Sequence, residues 1–175
     1  LVSGSLRVGS TNGAALATAQ SLIPAGSTAV LYGGLADLPH FNPDHDRVPL
    51  SPAVAELRAA LAAADAVLFS TPEYAGSLPG SFKNLLDWTV GEGMYRKPVG
   101  WINASAQGAA DGAYDTLRVV LGYVSAGLVK DACVKIPVRR DVVGPDGLIT
   151  DRETKEAIRA VVVALVTYAA NLPRE

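Results

Sequence analysis

Short apolar runs rich in β-branched residues alternate along the chain with longer stretches whose apolar residues recur every three or four positions. Runs of the first kind lie at 1–3, 28–32, 66–70, 99–103 and 133–138, and each predicts a strand. The run Ala66-Val67-Leu68-Phe69-Ser70 is apolar almost throughout, the mark of a strand buried on both faces. Stretches of the second kind predict helices. Leu16, Ala19 and Ile23 share one face of a helix over 13–23, with Asn12 as its N-cap. Ser51-Pro52 opens a second helix, with Ser as N-cap, Pro in its first turn, and Val54, Leu57 and Leu61 on one face. Phe82, Leu85, Leu86 and Thr89 line a third, and Asp111 caps a fourth that runs to 125. The capping box Thr150-Asp151-Arg152-Glu153 opens a fifth, whose apolar face holds Ile158, Val161, Val162, Leu165 and Ala169. Asp146-Gly147 predicts a turn.

Strands that alternate with helices through short, right-handed connections form a parallel sheet covered on both faces. The expected fold is α/β: a flavodoxin-like three-layer sandwich with a five-stranded parallel sheet in the order 2-1-3-4-5. Its switch point falls between strands one and three, and ligands of open α/β sheets bind there, outside the carboxyl ends of the strands. Residues 1–175 are expected to form one such domain. A strand of ordinary length needs about five residues, and only Leu1, Val2 and Ser3 precede the first glycine. Further residues are therefore expected before Leu1.

Composition narrows the function classes. Hydrophobic residues make up 49% and charged residues 18%, which places the chain among globular proteins. A net charge of −2 offers nothing to nucleic acid or to an anionic membrane surface. No apolar run approaches the roughly 20 residues of a spanning helix, so no membrane insertion is expected. The one cysteine, Cys133, gives neither a disulfide framework nor a metal cluster and reads as a small hydrophobe on a strand. A reducing cytoplasm is the compartment that suits it.

Two segments carry the chemistry, and each follows a predicted strand and opens a helix. The first is Gly4-Ser5-Leu6-Arg7-Val8-Gly9-Ser10-Thr11-Asn12. A helix N-terminus offers unpaired N–H groups and partial positive charge to a phosphate. Ser5, Ser10 and Thr11 add hydroxyls, Asn12 an amide and Arg7 a guanidinium. The segment has no G-x-x-x-x-G-K-[ST] and no G-x-G-x-x-G, which excludes a triphosphate loop and a dinucleotide fingerprint. The second is Thr71-Pro72-Glu73-Tyr74-Ala75-Gly76-Ser77-Leu78-Pro79-Gly80. Two prolines stiffen it and its glycines permit close approach of backbone, so Pro72 to Gly76 suit the edge of a flat isoalloxazine ring. Tyr74 is placed to wall that ring. Glu73 has two readings, a helix cap or a partner for a neighbouring cation, and neither makes it a general acid. Together the segments point to flavin mononucleotide. A third loop, Asn103-Ala104-Ser105-Ala106-Gln107-Gly108, is expected to rim the same crevice with small residues. Lys83 and Asp87 are spaced as a solvated pair. Trp88 falls off the apolar stripe of its helix and is read as a subunit contact.

These residues resemble the NAD(P)H-dependent FMN reductase family, which includes quinone and chromate reductases. The matching pieces are Gly4-Ser5-Leu6-Arg7-x-x-Ser10-x-Asn12, Asp37-Leu38-Pro39-x-Phe41-Asn42, and Thr71-Pro72-Glu73-Tyr74 with Ser77-x-Pro79-Gly80-x-x-Lys83-Asn84-x-x-Asp87-Trp88. The resemblance implies that Ser5, Arg7, Ser10 and Asn12 bind the flavin phosphate. It also implies that Pro72, Glu73, Tyr74, Ala75 and Gly76 line the isoalloxazine, and that Ser105 touches the flavin from the third loop. The family commonly carries Asn after Pro-Glu-Tyr, where this chain has Ala75; backbone contacts survive that change and a side-chain amide is lost.

The expected activity is transfer of hydride from NADPH or NADH through bound FMN to a small-molecule electron acceptor. A quinone leads the acceptors, ahead of free flavin, azo compounds and metal oxyanions. Flavin N5 carries the chemistry, so no side chain is named as catalytic and no metal is expected. The resemblance also implies a homodimer or homotetramer. The alternative is a flavodoxin-like electron carrier without a substrate site of its own; the small net charge disfavours it, because carriers steer to basic partners through strong acidity.

Overall fold

The computed structural model describes residues 1–107 and 109–173. Four strands, β1 (Val2–Ser3), β2 (Val67–Ser70), β3 (Pro98–Asn103) and β4 (Gly127–Lys135), form a parallel sheet in the order β1-β2-β3-β4. Five helices flank it: α1 (Thr11–Ser21), α2 (Pro52–Ala63), α3 (Gly80–Asp87), α4 (Asp111–Tyr123) and α5 (Arg152–Ala170). Helices α1 and α5 pack through Leu16, Ala19, Ile158 and Val162 against Leu68 and Ile102. Helices α2, α3 and α4 pack through Leu57, Phe82, Leu85 and Leu117 against Phe69, Val99 and Trp101 on the other face. The architecture is thus three-layered, and every residue of β2 and β3 is buried, as their apolar runs require.

The four-stranded sheet corrects the expected five strands in the order 2-1-3-4-5. The four keep the order expected of strands one, three, four and five, but segment 28–32 forms only one bridge, Tyr32 beside Val2. The Tyr32 N–H donates to the Leu1 carbonyl at 2.9 Å, and the Leu1 amino group donates to the Val30 carbonyl at 2.8 Å. Directly after Tyr32 the chain turns into a short 3-10 helix, Gly34–Asp37, and the ladder stops after one rung.

Helix boundaries moved for local reasons. Ser10, not Asn12, caps α1: its Oγ accepts from the Gly13 N–H at 3.0 Å, so the helix starts at Thr11. Asp151, not Thr150, caps α5, its carboxylate accepting from the Thr154 N–H at 2.8 Å. Strand β4 begins before 133 because it carries a bulge. Val99 pairs with Leu128 and Trp101 with Cys133, so β4 advances five residues while β3 advances two. The exposed Lys130-Asp131 in that bulge broke the apolar run that marks a strand.

Trp88 is a core residue, which corrects its reading as a subunit contact. It is 1% exposed. Its Nε1–H donates to the Pro39 carbonyl at 2.8 Å, and its ring meets Phe41 edge-on at a centroid separation of 5.0 Å. Asn84 holds the same loop, accepting from the Phe41 N–H at 2.7 Å and donating to the Pro39 carbonyl at 2.9 Å. The long loop thus folds back over the helix face that a helical wheel leaves open. Lys83 and Asp87 form the expected pair at 2.6 Å.

A single buried hydroxyl ties the last turn of the chain to its first helix. Thr18 on α1 is fully buried, and its Oγ1 accepts from the Ile149 N–H at 2.9 Å, just before α5. Thr18→Val keeps the shape and leaves that N–H without a partner. The expected destabilisation is about 1–3 kcal/mol, read as a lower urea midpoint with an unchanged m-value.

Candidate functional site

In a parallel sheet the loops after β1, β2 and β3 leave from one edge, so the three predicted segments gather at the carboxyl ends of the strands. The first two are in contact. The Gly4 N–H donates to the Ser70 carbonyl at 2.8 Å. A Cβ added at Gly4 would stand 2.2 Å from Thr71 Oγ1. Glycine at 4 thus leaves the room that the buried Thr71 side chain fills.

The first loop is organised by its own hydroxyls. The Ser5 N–H donates to Ser3 Oγ at 3.1 Å, and the Arg7 N–H donates to Ser5 Oγ at 3.3 Å. Ser10 Oγ, as the α1 cap, takes the Gly13 N–H, and the Ala14 N–H goes to the Ser10 carbonyl. Among the described residues, the N–H groups of Thr11 and Asn12 have no protein partner, so the first turn of α1 presents two open donors. Arg7 is exposed and has no ion-pair partner among the described residues. Asn12 turns inward: it is 6% exposed, and its Oδ1 accepts from Ser70 Oγ at 2.9 Å. That links α1 to β2, and among the described residues no protein partner takes its amide N–H groups.

The second loop contains a two-residue turn. Tyr74 and Ser77 exchange both backbone hydrogen bonds, at 3.0 and 3.1 Å, and the residues between them, Ala75 and Gly76, have φ of 51° and 73°. Two successive positive φ values define a type I′ turn, whose first position favours Asn, Asp or Gly. Tyr74 stands 55% exposed at its base. Pro72 is half-buried, and Ala75 and Gly76 are exposed.

Glu73 points away from the loop. Its Oε2 accepts from the Ala113 N–H at 3.0 Å, in the first turn of α4. Of its two sequence readings, the helix cap is the one observed. Asp111, expected as that cap, instead pairs with Lys135 at 2.5 Å. The residue before α4 is Ala110, at φ 73° and with no side chain able to cap.

Four residues brace the site: Ser70 and Tyr114, which the sequence reading left out, and Thr71 and Asn103, which it placed in the loops without a role of their own. The Tyr114 hydroxyl accepts from the Thr71 N–H at 3.1 Å and donates to the Ile102 carbonyl at 2.7 Å. Burial pushes that hydroxyl up to about 12, so it keeps its proton to donate. Ser70 Oγ also lies 2.8 Å from the Ile102 carbonyl, and Thr71 is 1% exposed. Asn103 Oδ1 accepts from the Ser105 N–H at 3.1 Å, and its amide donates to the Ala109 carbonyl at 2.9 Å. Asn103 thereby folds the third loop around Ser105; Gly108 lies outside the described residues. A polar residue closing an apolar strand was the available signal for Ser70 and Asn103. Tyr114, inside a helical stripe, gave none. Cys133 is half-buried on β4, and burial pushes its thiol up to about 11, which keeps it protonated near neutral pH.

The chemistry of this donor set fits FMN. Open helix N–H groups, three hydroxyls and an exposed guanidinium suit a phosphate dianion, and a stiff neighbouring loop with exposed backbone suits a ring edge. The family model for NADPH-dependent FMN reductases matches residues 1–140. The chain belongs to that family. FMN reductases of this kind are oxidoreductases that use FMN and a reduced nicotinamide nucleotide, and so is this one. An NAD(P)H-dependent FMN reductase of Pseudomonas aeruginosa is 34% identical, over 98% of this chain and 94% of its own length. An NAD(P)H:quinone oxidoreductase of Solanum tuberosum is 32% identical, over 97% and 91%. Among solved structures, a flavoenzyme NAD(P)H:(acceptor) oxidoreductase of Paracoccus denitrificans superposes with a TM-score of 0.75 at 29% identity, covering 97% of this chain and 94% of that one.

Against the Asn common in FMN reductases, Ala75 is a strained choice. A left-handed Ala costs about 1–2 kcal/mol that Gly does not, while Gly gives back about 0.4–1 kcal/mol through the freer unfolded chain. Ala75→Gly should therefore stabilise by about 0.5–1 kcal/mol, and Ala75→Asn should also stabilise. Equilibrium urea unfolding of the three proteins checks both.

Proposed function

We propose that this FMN reductase passes hydride from NADPH or NADH, by way of FMN, to a quinone or a similar small acceptor; free flavin, azo compounds and metal oxyanions are further acceptors. The observation that carries the reading is the contact of an open helix N-terminus with a stiff, backbone-rich loop across Gly4 and Thr71. FMN, when bound, supplies hydride chemistry at its N5. The chain's own residues bind and orient. The N–H groups of Thr11 and Asn12, the hydroxyls of Ser5, Ser10 and Thr11, the Asn12 amide and the Arg7 guanidinium hold the phosphate. The backbone of Pro72 to Gly76 faces the ring edge, Tyr74 walls it, and Ser105 closes the rim. No side chain is assigned proton transfer, and the Glu73 carboxylate is already engaged with α4.

The quinone preference is supported by the naming of the Solanum tuberosum relative as a quinone oxidoreductase. We further propose one domain over 1–175, a homodimer or homotetramer, and a cytoplasmic location. Exposed Leu6, Val8 and Tyr74 around the crevice support a covering second copy, and a lone thiol suits the reducing compartment. Among the described residues no helix is long and apolar enough to cross a membrane.

An absorbance titration with FMN, followed by anaerobic addition of NADPH or NADH, tests the reading. Bound flavin that bleaches with a nicotinamide, and recolours with a quinone, is the expected result. Bound flavin that neither donor bleaches would favour a carrier instead. Arg7→Ala should weaken FMN by about 1.5–3 kcal/mol, the range of a charged hydrogen bond, and leave riboflavin, which lacks the phosphate, unaffected. Unchanged FMN affinity in that variant would remove Arg7 from the phosphate site.

A further inference from the structure

We propose that Glu73 is a positioning residue for the flavin, acting through α4, and that Gly112 sets the spacing at which it acts. The inference rests on the FMN reading above. Helix α4 starts without a local cap, because Ala110 has no side-chain acceptor. A cap normally takes an N–H of the second or third helical residue. Here that acceptor comes from Glu73, in the ring loop, and reaches the third helical residue, Ala113, at 3.0 Å. The carboxylate also meets the partial positive charge of the helix end.

Three further contacts fasten the same loop to the same helix. A Cβ added at Gly112 would stand 2.4 Å from the Gly76 carbonyl oxygen and 3.0 Å from Glu73 Oε2, so the turn lies directly against helical backbone. One turn on, Thr116 Oγ1 donates to the Gly112 carbonyl at 2.7 Å, which leaves Ser77 Oγ to donate to Thr116 Oγ1 at 3.3 Å. At the loop's start the Tyr114 hydroxyl takes the Thr71 N–H. Between Thr71 and Ser77 the loop's own backbone bonds are only the Tyr74–Ser77 pair. That pair shapes the turn but does not locate it; α4 locates it. The Glu73 carboxylate therefore serves the ring through its bond to α4, and needs no contact of its own with the flavin.

The test compares dissociation constants for FMN and for riboflavin, read from quenching of flavin fluorescence, with thermal melting to confirm that each variant is folded. Glu73→Ala should weaken both flavins by about ten-fold, the effect of losing one cap, with the ratio of the two unchanged. Glu73→Gln keeps an oxygen acceptor and should recover most of the loss. Gly112→Ala should weaken both flavins as Glu73→Ala does, although Gly112 contributes no side chain. Ser77→Ala, a milder change, should act in the same direction on both. Folded Glu73→Ala with wild-type affinities overturns the inference. So does Glu73→Gln as weak as Glu73→Ala, or Gly112→Ala that binds like wild type. A wild type that binds neither flavin overturns the FMN reading and this inference with it, which separates the two failures.

Discussion

The site depends on one close contact, the approach of Gly4 to Thr71. A Cβ at Gly4 would overlap Thr71 Oγ1 at 2.2 Å, and the Gly4 N–H reaches the Ser70 carbonyl. Parallel strands bring their carboxyl ends side by side, but side chains normally hold the loops beyond them apart. Here the missing side chain of Gly4 lets the Thr71 side chain pack directly against the first loop. The first turn of α1 and the ring loop therefore share one wall, and a ligand with an anionic end and a flat end can reach both at once. The reduced sheet leaves this intact, because both strands in the contact, β1 and β2, pair with each other in register, Ser3 beside Ser70.

The helix ends around that contact are treated differently. α1 keeps the N–H groups of Thr11 and Asn12 open and spends only the Ser10 hydroxyl on its cap. α4 has no local cap and receives a carboxylate from the ring loop. Open donors attract an anion, whereas a bound carboxylate repels one and satisfies the helix. One end of the crevice is thus made receptive to phosphate, and the other is closed by a residue that also fastens the loop.

What could be read from the sequence follows from periodicity and from residue chemistry that acts locally. The apolar runs gave β2 and β3 and both of their buried faces, and the paired glycines and prolines marked the ring loop. The errors came where tertiary contacts override a local pattern. Segment 28–32 has the composition of a strand, but it makes one bridge to β1 and then turns into a 3-10 helix at Gly34. Trp88 looked exposed on a helical wheel because a loop more than forty residues earlier, at Pro39 and Phe41, covers it. Lys130-Asp131 hid the first half of β4 because a bulge turns those polar residues outward. In the candidate site, residue types suggested the donors, but not Asn12 turning inward or Glu73 reaching α4. Both depend on partners, Ser70 and Ala113, about 40 or more positions away.

Those distant partners form a continuous series across the crevice. Asn12 binds Ser70, Ser70 lies against the Ile102 carbonyl, Tyr114 donates to that carbonyl and accepts from Thr71, and Asn103 folds the third loop beside them. The first loop is held by β2 through Ser70, the second by α4 through Tyr114, and the third by Asn103 at its own start, so moving the first or the second leaves a buried polar group unpaired. The series is also insensitive to pH over the ordinary range. Its one titratable member is Tyr114, whose hydroxyl is pushed by burial up to about 12. A native pKa above the unfolded value near 10 keeps the proton in place below that pH, and the link weakens only as pH rises from about 10 towards 12. A crevice braced in this way can present the same backbone to a flat ring whether or not a second molecule lies against it.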